Sequence, residues 1–198
     1  KTLFQIASVS KAFTAAALAI LVDDGELDWE DPVIDYLPEF RMYDPWVTRE
    51  FTIRDLLTHR SGLPLGAGDL LMFPEAESSR EEIIRAMRFL KPSTSFRSEY
   101  AYDNLMYIIA GEVVGSASGM PFEEFLEERL LFPLGMTDCA ATLGRTAKKA
   151  TRATPHVEVD GKLQTTLSLE SDVGAAAGGI NCSARSMALW SSFVLSKG

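Results

Sequence analysis

The sequence predicts a predominantly helical α+β chain, and three observations carry the prediction. A nearly uninterrupted apolar run follows Ser8 and Lys11, several later segments carry apolar residues at helical spacing behind capping residues, and one Asp-Gly pair separates two alternating stretches. The opening stretch, Phe4-Gln5-Ile6-Ala7-Ser8-Val9-Ser10-Lys11-Ala12-Phe13, continues into Thr14-Ala15-Ala16-Ala17-Leu18-Ala19-Ile20-Leu21-Val22. A helix apolar all round belongs in a core. A membrane span is not expected, because the run is too short for ~30 Å of hydrocarbon and polar groups crowd its first half. We expect this helix over about residues 8–23, stopped where Gly25 can take a left-handed conformation.

The remaining elements follow in order. The stretch 27–40 holds Pro32 and Pro38 and reads as turns and helical pieces. Thr52 caps a short helix over 53–58, with Asp55 in the capping-box position. Arg60-Ser61-Gly62-Leu63-Pro64 then makes a loop, and 65–77 shows no period. Ser79 caps a helix over 80–90 with Ile83, Ile84, Met87 and Leu90 on one face. A helix over 103–114 should stop around Gly115, and Pro121 opens the next, over 122–131, ended by Pro133-Leu134-Gly135-Met136. Asp160-Gly161 joins two strands of a hairpin. Gly174-Ala175-Ala176-Ala177-Gly178-Gly179-Ile180 permits close backbone approach, and Ser183 caps a last helix over 184–195.

Composition narrows the function. The chain has 198 residues, a net charge of −9, 46% hydrophobic and 24% charged residues, which is an ordinary globular balance. An acidic chain lacks the basic face that recruits phosphates, so a nucleic-acid partner is not expected. Cys139, Cys182, His59 and His156 have no ligand spacing, so neither a metal nor a cofactor is called for. The two cysteines read as buried thiols, with a disulfide left open.

Ser8 and Lys11 stand one helical turn apart. A lysine in apolar surroundings loses its charge readily, and a neutral amine can take the proton of a neighbouring hydroxyl. The helix N-terminus favours an oxyanion at the serine. A serine and a lysine at this spacing occur about once by chance in a chain of this size. A plainer reading makes Ser8 or Ser10 a helix cap and Lys11 a snorkelling surface residue. A second polar cluster, Tyr102-Asp103-Asn104, lies ahead of its helix. On extended backbone Tyr102 and Asn104 point the same way, and a phenol near a buried ammonium is a proton shuttle. The bland reading packs Tyr102 in the core and makes Asn104 a cap.

Together these pieces resemble the serine β-lactamase and penicillin-binding-protein superfamily, in its class C-like branch of D,D-peptidases, β-lactamases and esterases. The residues that carry the resemblance are Phe4 to Lys11, Ile-Arg-Asp-Leu-Leu-Thr-His-Arg-Ser-Gly-Leu-Pro over 53–64, Tyr102 to Tyr107, Phe132-Pro133-Leu134-Gly135-Met136 and Gly178-Gly179-Ile180. The resemblance implies an αβα sandwich lobe beside an all-helical lobe, with the site between them. Within one partial domain, about 25–150 would be the helical lobe, and 1–24 and 151–198 would belong to the α/β side.

It also implies roles. Ser8 is similar to the acylated nucleophile, Lys11 to its base or proton relay, and Tyr102 to the shuttle toward the leaving group and the deacylating water. Asn104 is similar to the residue that orients lysine and substrate, and His59 to a residue of a structural loop. The substrate would be an ester, a β-lactam or a D-amino-acid peptide, with loops 65–77 and 140–175 shaping its pocket. A non-catalytic penicillin-sensing or scaffold domain, or an inactive piece of an active parent, is the alternative. The compartment is periplasmic, secreted or cytoplasmic by resemblance.

The middle residue of the tyrosine motif is commonly serine in the superfamily and is Asp103 here, where we expect a helix cap. The third motif, Lys or His, then Thr or Ser, then Gly, is absent, and the strands that precede the serine helix in the superfamily are expected to be missing as well. The chain therefore reads as a fragment. The serine helix should be open on that side and covered by a neighbouring chain; otherwise the isolated fragment should be sticky.

Overall fold

The structure is a computed structural model, and it describes residues 1–72, 78–166 and 172–197. In chain order the regular elements are β1 (Leu3–Gln5), α1 (Ser10–Asp23), α2 (Val33–Tyr36), α3 (Pro45–Glu50), α4 (Ile53–Thr58) and α5 (Arg80–Ala86). After them come α6 (Leu105–Ser118), α7 (Phe122–Leu126), β2 (His156–Val159), β3 (Lys162–Thr165), β4 (Asn181–Ser183) and α8 (Ala184–Leu195). The α+β reading holds.

The local signals act as their chemistry requires. Thr52 and Ser79 each close a capping box, with Asp55 and Glu82 respectively, and Ser183 caps α8 through the Ser186 N–H. Asp160 and Gly161 both take positive φ, at 51° and 72°, and join β2 to β3 in antiparallel register, Val159 opposite Lys162. The apolar helices α1 and α6 pack against each other at the centre, with Phe13, Leu18, Leu21, Ile109, Val113 and Phe122 sealed from solvent. Phe13 also stacks on Trp190 of α8, ring centroids 4.0 Å apart.

Several expectations are corrected. The serine helix begins two residues late: Ala7–Val9 forms a 3₁₀ turn, because Ala7 sits at φ 46° and interrupts the helical path. The helix expected to stop around Gly115 runs on to Ser118. Gly115 keeps helical backbone there, and the stop comes at Gly119, whose left-handed φ of 69° lets its N–H return to the Gly115 carbonyl. The segments expected as helices over 80–90 and 122–131 each change pitch. The first ends in a 3₁₀ turn at Met87–Phe89, and the second widens into a π turn at Glu127–Leu131. That wide turn directs the buried Glu127 carboxylate to the Ala141 N–H and the Arg145 guanidinium.

Cys139 and Cys182 are not free thiols but a disulfide. It ties β4 to the loop after α7, and β4 pairs in turn with β1, Phe4 opposite Cys182. A strand does lie ahead of the serine helix, against expectation, because β1 finds an antiparallel partner in β4, and the open flank expected on α1 is small. Only Ala12 and Asp23 of that helix are exposed, and Ala15, Ala16, Ala19, Ile20 and Val22 are half-buried. Among the described residues no single helix is long and apolar enough to cross a membrane.

Candidate active site

β1 delivers the chain to the site. Its edge is fixed by β4 on one side and by the Leu3 contacts to Thr151 and Ala153 on the other, and the Ile6 N–H then bonds the Ile180 carbonyl at 2.9 Å. Ala7 turns the chain into the left-handed region, a conformation that costs a residue with a Cβ about 1–2 kcal/mol. The turn packs on Gly178, where a Cβ would be in ordinary van der Waals contact with the Ala7 carbonyl carbon at 3.6 Å. Ser8 is thereby lifted onto an exposed 3₁₀ turn at the head of α1.

Lys11 lies one turn further on and is 6% exposed. Its Nζ stands 3.4 Å from Ser8 Oγ, 2.8 Å from Asn104 Oδ1 and 2.7 Å from the Ala177 carbonyl oxygen. The Tyr102 hydroxyl donates to Ser8 Oγ at 2.6 Å, and Nζ sits 4.8 Å from the Tyr102 ring centre and 5.3 Å from that of Tyr107. Burial holds the Lys11 ammonium below its ordinary 10.5, against smaller upward pulls from Tyr102, Asp69 and Asp103.

The partner count says what the neutral amine can do. Its two N–H bonds are taken by Asn104 and Ala177, which leaves the lone pair for the side where Ser8 lies. The small-residue stretch is what brings that carbonyl close. Ala175–Gly179 winds as a π turn packed on α1, with the Thr14 hydroxyl bonding the Ala176 carbonyl at 2.7 Å and the Ile180 N–H reaching Ser10 Oγ.

All four sequence-predicted residues, Ser8, Lys11, Tyr102 and Asn104, meet at this point. The expected extended backbone stops at Asn104, which already has helical φ and ψ of −81° and −33°. Asn104 does not cap α6. Asp103 does, its Oδ1 accepting the Leu105 N–H at 2.8 Å, as expected for that carboxylate. Lys11 is no surface residue, and the Ser8 hydroxyl is no cap.

His59 is buried behind Tyr102, tilted against its ring with centroids 4.5 Å apart. Its left-handed φ of 56° ends α4, its Nδ1 accepts the Asp103 N–H at 3.1 Å, and burial followed by the Lys11 charge keeps it below its ordinary value. A neutral imidazole that accepts at Nδ1 carries its proton on Nε2. It backs the phenol and makes no hydrogen bond to Ser8 or Lys11.

Two members of the cluster were not singled out in the sequence. Asp69, in the short turn Asp69–Leu71, accepts from Asn104 Nδ2 at 3.1 Å and so fixes which way the amide faces. The Ala177 carbonyl is a backbone group, and only the run of small residues hinted at it. The loops 65–77 and 140–175 fall partly outside the described residues.

Comparison with known proteins adds the relations. The family model described as Beta-lactamase matches residues 1–198. Over 144 residues the chain is 36% identical to "Unguisins hydrolase ungD'" of Aspergillus campestris (strain IBT 28561), covering 68% of this chain and 26% of that protein. It is 30% identical over 142 residues to the D-alanyl-D-alanine-carboxypeptidase/endopeptidase AmpH of Escherichia coli (strain K12), covering 70% of this chain and 36% of that one. The octameric penicillin-binding protein homologue from Pyrococcus abyssi superposes with a TM-score of 0.81 at 25% identity, covering 100% of this chain and 46% of the other. The chain thus spans about a quarter to a third of the two curated relatives.

Proposed function

The chain belongs to the beta-lactamase family, and on that premise we propose that it carries the catalytic serine of a hydrolase that works through an acyl-enzyme on Ser8. The observation that supports this best is the lysine's bonding. With both N–H bonds of its neutral form held by Asn104 and Ala177, the amine has one free function, to accept a proton on the Ser8 side.

The reaction runs as follows. Lys11 takes the Ser8 hydroxyl proton as Oγ forms a bond to the carbonyl carbon of the substrate. The Ser8 N–H, at the N-terminal side of α1, steadies the resulting oxyanion. The proton passes through Tyr102 to the leaving group as its bond to carbon breaks, giving acyl-Ser8. Water then attacks the acyl carbon, Tyr102 takes the water's proton, and Ser8 leaves with a proton restored. Asn104 holds the lysine and presents its amide to the substrate, while His59 backs the Tyr102 ring.

The substrate class is an ester, a β-lactam or a D-amino-acid peptide, and a broad esterase is the reading we favour. A hydrolase and a D-alanyl-D-alanine carboxypeptidase among the relatives support carbonyl chemistry of this kind. In this reading the chain is one partial domain, with about 25–150 as its helical lobe and 1–24 and 151–198 on the α/β side, and the site lies where α1 meets the turn before α6.

The test is mass spectrometry of the whole protein after exposure to a fluorophosphonate or a penicillin. An adduct should appear on Ser8 and be lost in Ser8→Ala. Tyr102→Phe should slow its formation about 10²–10⁴-fold, the span of general acid–base catalysis. An adduct on another residue, or none, defeats the mechanism. A stable penicilloyl adduct with no turnover of esters or penicillins would make this a penicillin-sensing domain instead.

A further inference from the structure

A groove between α2 and α3 shares no residue with the Ser8 site, and its lining carries one sign of charge. Its volume is about 670 Å³, within the ~300–1,000 Å³ range of small-molecule sites. Ile34 of α2, Pro38 after it and Pro45 at the head of α3 supply apolar wall, and Arg41, Arg49 and Arg88 supply the charge. Arg88 comes from the 3₁₀ turn Met87–Phe89, so the fold brings the third cation to the other two. Among the described residues no aspartate or glutamate lines the groove.

Elsewhere the chain meets its arginines with acids. Arg54 pairs with Glu30, Arg97 with Asp55, Arg129 with Asp24 and Arg145 with Glu127, and Arg85, one turn before Arg88, pairs with Glu81. Arg41, Arg49 and Arg88 have no carboxylate partner among the described residues, in a chain whose net charge is −9. Two of the three are held by main chain. Arg41 Nη1 donates to the Pro38 and Phe40 carbonyls, each at 2.6 Å, which uses both its hydrogens and leaves the Nε and Nη2 N–H groups. Arg88 Nε donates to the Arg85 carbonyl at 3.0 Å, which leaves both Nη groups. The wall is fixed too: the buried Thr48 hydroxyl accepts the Met42 N–H at 2.9 Å and ties the loop ahead of α3 to that helix. The nearby Asp44 carboxylate is engaged in capping α3 through the Trp46 N–H.

We propose that this groove binds a small organic carboxylate with an alkyl or aryl body, its head held by Arg41, Arg49 and Arg88 and its body against Ile34, Pro38, Met42 and Pro45. A guanidinium fork matches a carboxylate with two parallel N–H bonds, and the apolar wall beside the forks takes the part of the ligand that water disfavours. Three like charges around one concavity repel one another until an anion enters, whereas a surface that only needs to be solvated intersperses both signs. The occupant is a free molecule, since the groove has the volume of a small-molecule site. Binding here stands whether or not Ser8 is acylated.

Calorimetry of the whole protein tests this with sodium decanoate below its micellar concentration. Acetate, which lacks the body, and decyltrimethylammonium, which reverses the charge, are the controls. Decanoate should bind once per chain and about tenfold or more tighter than either control. Nuclear Overhauser contacts should join its methylene groups to the Met42 methyl. The double variant Arg49→Gln, Arg88→Gln, at two exposed positions, should weaken decanoate about tenfold or more and leave thermal unfolding and Ser8 labelling unchanged. Arg41→Gln should weaken it as well. No binding of decanoate, equal binding of decyltrimethylammonium, or an affinity unmoved in the double variant would each overturn the proposal. So would contacts from the methylene groups to Ser8 or Tyr102 in place of Met42.

Discussion

Lys11 is a single buried amine, and its energetic signature can be measured separately from the proton-accepting role proposed for it. Because burial holds the Lys11 ammonium below 10.5, the unfolded chain binds the proton more tightly than the folded one. The stability tied to this group is therefore complete above about pH 10.5, its unfolded value, and is lost as pH falls through the depressed folded value. Lys11→Met keeps the bulk and abolishes the titration. The variant should compare best with the wild type in acid, where it is spared a buried charge. It should lose ground as the pH rises and the neutral amine keeps its bonds to Asn104 and Ala177. Denaturant unfolding from about pH 5 to pH 10 measures this, and a difference that stays flat across the range would contradict a buried, titrating lysine.

The element that holds the amine in place is the π turn Ala175–Gly179, wedged between α1 and α6. Gly111 of α6 makes room for it: a Cβ there would come within 2.7 Å of Ala176 Cβ. In a bare helix Gly→Ala stabilises by about 1 kcal/mol, but overpacking a core costs about 1–3 kcal/mol, so the clash should win. Gly111→Ala is expected to lower stability and, by displacing the Ala177 carbonyl, to slow Ser8 labelling as well. Unfolding and labelling rates check both, and a stabilised, fully reactive variant would show that the turn does not fix the lysine. What was legible in the sequence divides along the same line. Caps at Thr52, Ser79 and Ser183, the Asp160-Gly161 hairpin and the Ser8–Lys11 spacing are local, and local chemistry decides them. The helix stop at Gly119 rather than Gly115 was not legible, since both glycines satisfy the same rule and packing chooses between them. Nor were the bond from Asn104 to Asp69 and the joining of Cys139 to Cys182, which depend on segments brought together only by the fold.

Across the whole molecule, burial is uneven, and that unevenness can be read out by cutting the chain. The hairpin of β2 and β3 contains no buried residue, so opening it costs little, while α1 and α6 lie in the core. Lys162 stands directly after the turn at its tip, whereas Arg152 is tied down where Leu3 bonds Thr151 and Ala153. Brief trypsin treatment should therefore cut first after Lys162. That cut falls inside the loop closed by Cys139 and Cys182, a separation of 43 residues. The two pieces should stay together on a non-reducing gel and part when the disulfide is reduced. The nicked protein should keep its Ser8 reactivity, because β4 and the π turn remain joined to the core by β1, the disulfide and the contacts with α1. Pieces that separate without reductant would rule out the disulfide. A first cut within α1 or α6 would overturn the assignment of the core to that helix pair.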